Sequence, residues 1–223
     1  MTDAHCHVPS GDGSVRELVV GRDFYGVHPW ECVGKEEGRG KREEVLEGLR
    51  ERLLANPRVG VGEIGLDRLR EKTIPPVMRE IFEAQLRLAF ELCRPVVLHG
   101  AKCWGQVLEA VRRFSSALGQ PPALLFHGFS RSGGLVSDIV ELGGYISVGP
   151  AILNDHAVNY RALVAAMPSG SLLVETDRTD ANAAECPGVR EILEKLAEVR
   201  GESVSALEAI TDENAARFMP EVG

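Results

Sequence analysis

Short, near-continuous apolar runs recur along this chain, and five of them end on a residue that can bind a metal. MTDAHCH closes on His5 and His7, RVGVGE on Glu63, PVVLH on His99, ALLFH on His127 and SLLVETD on Asp177. Runs this short, rich in Val, Leu and Ile, suit strands buried on both faces, as in parallel sheets covered by helices. The strands expected on this pattern lie at 58–63, 95–99, 123–127, 144–148 and 171–176.

Amphipathic stretches separate them. Val45, Leu49 and Leu53 recur at four-residue spacing, and further helices are expected at 76–94, 104–118, 133–142, 157–167 and 189–200. Ser205 and Glu208 have capping-box spacing for a terminal helix, with Thr211 capping a second short turn before Phe218. Regular strand–helix succession implies a parallel sheet with right-handed crossovers. An open sheet binds ligands at a single crevice where strand order reverses. Donor residues at nearly every strand end fit a closed sheet better, because a barrel gathers them at one mouth.

The N-terminal part is too short for a full set of repeats. Twenty residues separate His7 from His28, whereas a strand–helix–strand unit takes about 30. Residues 23–27 read as a strand, 17–20 as a short strand-like piece, and 34–42 as a loop leading into a helix. The expected fold class is therefore α/β. It is a distorted TIM-like (β/α) barrel of about seven parallel strands, its first helical unit trimmed to a loop, with residues 1–223 forming one domain.

Composition narrows the functions open to such a fold. No run of about 18 apolar residues is present to span a bilayer, and no leader peptide is expected ahead of the first strand. The five cysteines include no CxxC pair, which excludes zinc-finger and thioredoxin readings and suits a reducing cytoplasm. A formal charge of −8 disfavours a long electrostatic footprint on duplex nucleic acid. It leaves room for an enzyme that grips one phosphate through a metal ion.

The donors themselves point to metal chemistry. His5 and His7 lie two apart, so a strand turns both imidazoles to one face and Cys6 to the other. Glu63 can use both carboxylate oxygens, His99 and His127 add two nitrogens, and Asp177 adds another oxygen. Six ligands exceed the three plus water of a catalytic zinc. They suit two ions roughly 3.5 Å apart that activate water together.

In order along the chain, these segments resemble the TatD-type metal-dependent hydrolases of the amidohydrolase-like barrel superfamily. DAHCH (3–7) matches the opening DxHxH, GVHPW (26–30) the GxHP, and GEIGLD (62–67) matches fully. VLH ending at His99, HGFS (127–130), ETD (175–177) and NAARF (214–218) complete the sequence over essentially the whole chain. The resemblance implies that His5, His7, Glu63 and Asp177 hold one ion, and Glu63, His99 and His127 the other. It implies a TatD-like deoxyribonuclease cleaving phosphodiesters, with Zn, Mg or Mn as the two divalent ions and the end of a single-stranded nucleic acid, or a small phosphoester, as substrate.

Glu63 and Asp177 are the expected catalytic carboxylates. Asp177 binds metal and orients or accepts a proton from a water whose pKa the ions lower from about 16 to about 7. The chain departs from the family pattern at Ala101, where an Arg is usual, and at Thr179, where a Pro is usual. Lys102 is the neighbouring cation expected to face the phosphate, as a point charge without the Arg fork. His28 is read as facing substrate or backing a ligand, with a hydrogen-bonded loop residue as the alternative. Cys6 is expected to pack outward and His156 to face solvent. Trp30 and Trp104 are expected to pack, with base stacking as the rival role. Arg68, Arg70, Lys72 and Arg79 read as a solvated face rather than a basic rim. Two rivals share the same reasoning: a hydrolase of a small amide, lactone or phosphate ester on the same metals, and a non-catalytic barrel scaffold.

Overall fold

The computed structural model describes residues 1–32, 39–70, 72–130 and 133–220, without the side chains of 39–42. Part of the stretch at 34–42 therefore lies outside the described residues; its end is already helical. The chain forms two compact units, Gly21–Leu124 and the combination of Met1–Val20 with Leu125–Gly223.

In the unit Gly21–Leu124, β3 (Phe24–Tyr25), β4 (Gly60–Asp67) and β5 (Val96–Ala101) pair in parallel in that order. Helices α1 (Pro29–Cys32), α2 (Arg39–Ala55), α3 (Pro76–Glu91) and α4 (Trp104–Leu118) alternate with them. Glycine permits the close strand approach. Gly65 sits opposite His99, and a Cβ on Gly65 would stand 1.9 Å from the His99 carbonyl oxygen.

Strand β4 runs four residues beyond its expected end at Glu63, because Gly65, Leu66 and Asp67 stay in register with His99, Gly100 and Ala101. The polar end of the run hid this extension. Helix α3 begins with Pro at its first position, where the missing N–H costs nothing. It buries Val77, Met78, Ile81, Phe82 and Leu86. It stops at Glu91 rather than 94, because Cys93 turns left-handed at φ 52° and the Arg94 N–H closes back on the Ala89 carbonyl.

The other unit opens with β1 (Thr2–Cys6) and β2 (Arg16–Val19), which pair in parallel with no helix between them. This is the trimmed first unit that the spacing predicts. Residues 17–20, weighed as a strand-like piece, thus contribute a strand, and the described residues hold eight strands where about seven were expected. Strands β6 (Leu124–Phe126), β7 (Tyr145–Val148) and β8 (Leu172–Val174) pair in parallel in that order. Helices α5 (Val136–Glu141) and α6 (Val158–Ala166) alternate with them, α5 entered through a 3₁₀ turn at Gly133–Leu135.

Helices α7 (Val189–Arg200) and α8 (Val204–Phe218) complete the unit. The expected pair of C-terminal elements is one helix. Ser203, not Ser205, caps it by accepting the Ala206 N–H, and Thr211 sits inside it, donating to the Leu207 carbonyl. Buried Asn214 of NAARF donates to the Ser169 and Leu172 carbonyls, which pins α8 beside the start of β8. Arg200 does the same for α6, donating to the carbonyls of Val164 and Met167. Among the described residues no helix is long and apolar enough to cross a membrane.

Candidate metal centre

Each unit contains a histidine-bearing group of three side chains that could hold a metal ion. In the unit containing β1, donor atoms of His5, His7 and Asp177 lie within 4.8 Å of one another. Strand β1 delivers His5 fully buried, and the imidazole rings of His5 and His7 stand 5.1 Å apart. Cys6 points the other way, its thiol 3.8 Å from the Leu18 carbonyl on β2, as the strand alternation predicts. Asp177 follows β8 in the left-handed region at φ 48°, a conformation Asp tolerates better than most residues. Its Oδ1 stands 3.7 Å from His5 Nε2 and 3.6 Å from His7 Nε2. The segment after β8 is tied to the end of β1 there: Asp177 N–H donates to the His5 carbonyl, and His7 N–H to the Arg178 carbonyl. His127, just after β6, places its ring 4.3 Å from that of His5.

Two buried acids stand behind these donors. Asp3 accepts from the Thr176 hydroxyl at 2.6 Å, from the Thr176 N–H at 3.0 Å and from the His5 N–H at 3.3 Å. Burial pushes its carboxyl up to about 7 against those bonds. Glu175 is also buried, yet it is held below the usual range. Burial opposes ionisation there, but hydrogen bonding and charge from His127, the charge of His5 and the Ser147 hydroxyl outweigh it. Glu175 accepts from Ser147 at 2.6 Å and from the Gly128 N–H at 2.7 Å, and its Oε2 lies 3.8 Å from His127 Nδ1.

In the unit Gly21–Leu124, donor atoms of His28, Glu63 and His99 form the second group. Glu63 Oε1 is 2.6 Å from His99 Nδ1 and 3.5 Å from His28 Nε2. His28 stays in place because buried Gln85 on α3 clamps its neighbour Val27, accepting the Val27 N–H at 2.6 Å and donating to its carbonyl at 3.1 Å. Sequence reasoning read His28 as facing substrate, backing a ligand or as a hydrogen-bonded loop residue; it stands 3.5 Å from Glu63, in a group that could hold an ion. Lys102 follows β5 in a left-handed turn at φ 57° and is exposed.

Asp67, which closes the GEIGLD segment, is a neighbour of the candidate centre that sequence reasoning passed over. It is 2% exposed, and its Oδ2 is 2.9 Å from His99 Nε2 and 2.8 Å from Trp30 Nε1. Burial works against its charge, but the bonds from His99, Leu69 and Trp30 leave it below the usual carboxylate range. Trp104 is buried, as a packing role requires, whereas Trp30 is 42% exposed with the Arg70 guanidinium 4.0 Å from its ring centre. His156 is exposed, as expected. Arg68 donates to the Lys72 carbonyl within its own loop.

Two imidazoles and a carboxylate in each group form a donor set that suits Zn or Mn and fits poorly with Mg, which prefers an all-oxygen shell. The residues present therefore fit a divalent transition metal. Neutral ring nitrogens and ionised carboxylates are the forms that would bind it.

Comparison with known proteins agrees with this chemistry. A family model described as TatD related DNase matches residues 20–220. A relative from Cronobacter sakazakii named 3'-5' ssDNA/RNA exonuclease TatD is 29% identical over 205 residues, covering 86% of this chain and 74% of the relative. One of the same name from Pectobacterium parmentieri is 31% identical over 172 residues, covering 72% of this chain and 65% of the relative. The Bacillus subtilis protein named uncharacterized metal-dependent hydrolase YabD is 25% identical, covering 91% and 80%. Among solved structures, YjjV, a TatD homologue from Escherichia coli, superposes with a TM-score of 0.80 at 24% identity, covering 100% of this chain and 98% of that one. This likeness shows the fold class to be the α/β, TIM-like barrel that strand–helix alternation predicts.

Proposed function

The chain belongs to the TatD-related DNase family, and on that premise we propose a hydrolase that cleaves phosphodiester bonds at the end of a single-stranded nucleic acid, with two divalent ions per chain. The observation that carries this reading is the pair of three-donor groups, His5, His7 and Asp177 in one unit and His28, Glu63 and His99 in the other. His127 beside His5 is a further nitrogen for the first group. Ions bound there supply Lewis acidity and bring the pKa of water toward neutrality.

The chain's own residues do the rest. Asp177, its carboxylate 46% exposed, is free of the deep burial that constrains Glu63 and is the residue to take a proton from attacking water. Lys102, exposed just beyond His99 on β5, supplies a positive charge for a phosphate. The names of the relatives support a single-stranded substrate attacked from its 3' end. The five free cysteines support a cytoplasmic setting.

A second reading keeps the donors and changes the substrate to a small phosphate ester, amide or lactone. Ala101 in place of the usual Arg favours it, because no planar fork grips the phosphate at that position. Single-stranded oligonucleotides labelled at either end, incubated with Zn, Mn or Mg, separate the two. Stepwise shortening from the 3' end supports the nuclease. Intact oligonucleotides alongside hydrolysis of small esters would transfer the conclusion to the second reading.

A further inference from the structure

We propose that Asp67 is a positioning residue for His99, one that fixes which ring nitrogen His99 offers to a metal ion. The inference rests on the metal-binding reading above and adds a residue to it. A neutral imidazole carries one N–H and one lone pair, and only the lone pair binds a metal. His99 lies between two carboxylates, with Nδ1 2.6 Å from Glu63 Oε1 and Nε2 2.9 Å from Asp67 Oδ2. The two acids are not equivalent. Glu63 shares its oxygen with His28 and belongs to the three-donor group. Asp67 lies outside that group, and both of its oxygens are already engaged: Oδ1 accepts the Leu69 N–H at 2.5 Å, and Oδ2 accepts the Trp30 indole N–H at 2.8 Å.

A carboxylate fixed by two N–H donors can only accept from the third, so the proton of His99 belongs on Nε2. At 2.6 Å, Nδ1 and the Glu63 carboxylate share a hydrogen bond; an ion that displaces that proton would meet the Nδ1 lone pair, because Asp67 keeps the other proton on Nε2. Backbone register reinforces the arrangement: His99 stands opposite Gly65, with Glu63 two residues before it and Asp67 two after. The indole of Trp30 is part of the same device, since it helps hold the Asp67 oxygen that faces His99.

An amide at this position breaks the logic. Asn has one acceptor oxygen for the three N–H groups around it, so its NH₂ meets at least one of them donor to donor. An NH₂ turned to Nε2 moves the ring proton to Nδ1 and removes the lone pair from the metal side.

The test uses the full chain labelled with ¹⁵N-histidine, stripped with chelator and titrated with Zn²⁺ alone. Histidine ring ¹⁵N shifts report the tautomer, and chelator competition reports affinity. Wild type is expected to show His99 protonated at Nε2 when Zn²⁺ is bound. Asp67→Asn should weaken the site formed with Glu63 roughly 10- to 100-fold and lose that signature, leaving affinity at His5, His7 and Asp177 unchanged. Asp67→Glu should recover part of the loss. Should Asp67→Asn fail to fold, Trp30→Phe removes one donor to the same oxygen and should still weaken Zn²⁺ several-fold. Undiminished Zn²⁺ affinity with the same His99 tautomer in the variants overturns the assignment while leaving the metal centre standing. A wild type that takes up no Zn²⁺ overturns both.

Discussion

The backbone N–H of Asp177 donates to the carbonyl of His5 at 3.1 Å, and Asp177 Oδ1 stands 3.7 Å from Nε2 of the same histidine. One residue thus ties the segment after β8 to β1 through its backbone and faces the same strand's imidazole with its carboxylate. Asp177→Asn keeps the left-handed backbone, which Asn tolerates, and removes the charge. It should lower hydrolysis by on the order of 100-fold or more and metal content by one ion per chain, with little change in Tm. Retained metal and turnover would remove Asp177 from the centre.

Glu63→Ala deletes the carboxylate that both His99 and His28 face. Hydrolysis should be abolished and the metal content should fall, read by the same oligonucleotide assay and by elemental analysis. Full turnover in this variant contradicts the assignment of Glu63.

Lys102→Ala acts on substrate alone. An exposed cation facing a phosphate is worth about 1 kcal/mol, so KM should rise roughly fivefold with metal content unchanged. Steady-state kinetics with oligonucleotide substrate check this, and an unaltered KM takes Lys102 out of the site.

Gly65→Ala places a methyl group 1.9 Å from the His99 carbonyl oxygen, a contact that only backbone displacement relieves. Unfolding in urea should show a loss on the order of 3 kcal/mol or more. Gly105→Ala, in the first turn of α4 with nothing within 4 Å of the added carbon, should be neutral or stabilising by up to about 1 kcal/mol. Equal stabilities for the two variants would contradict the close β4–β5 approach.

Burial, with the charge of Asp67 adding to it, pushes the Cys103 thiol up to about 12. The folded state therefore favours the thiol, and the stability it contributes is full below the ordinary value near 9 and is lost as pH rises toward about 12. In the native protein iodoacetamide at pH 8 should modify exposed Cys93 and spare buried Cys103. Peptide mapping showing rapid labelling of Cys103 contradicts its burial.

The candidate donors stand out in the sequence because buried parallel strands are short apolar runs, and a polar residue near the end of one is conspicuous. His5, His99, His127 and Asp177 stand out that way: His5 lies one residue before the end of β1, His127 just after β6 and Asp177 three residues after β8, whereas His99 lies inside β5, which continues to Ala101. Asp67 and Glu175 were not legible as partners of His99 and His127. Their roles depend on tertiary contacts across 32 residues in one case, and on a fully buried carboxylate satisfied by Ser147 and Gly128 in the other. His28 needed Gln85, 58 residues from Val27, to hold its loop. The strand count slipped where pairing, not apolarity, defines the element: β2 is half polar and exists because it pairs with β1.

On the reading proposed above, each unit would hold one ion. Elemental analysis of the wild-type chain, saturated with Zn or Mn and then freed of excess by gel filtration, tests it most directly. Two ions per chain are predicted, falling to one in Asp177→Asn. A wild type that retains none, or a single ion that Asp177→Asn leaves in place, contradicts it.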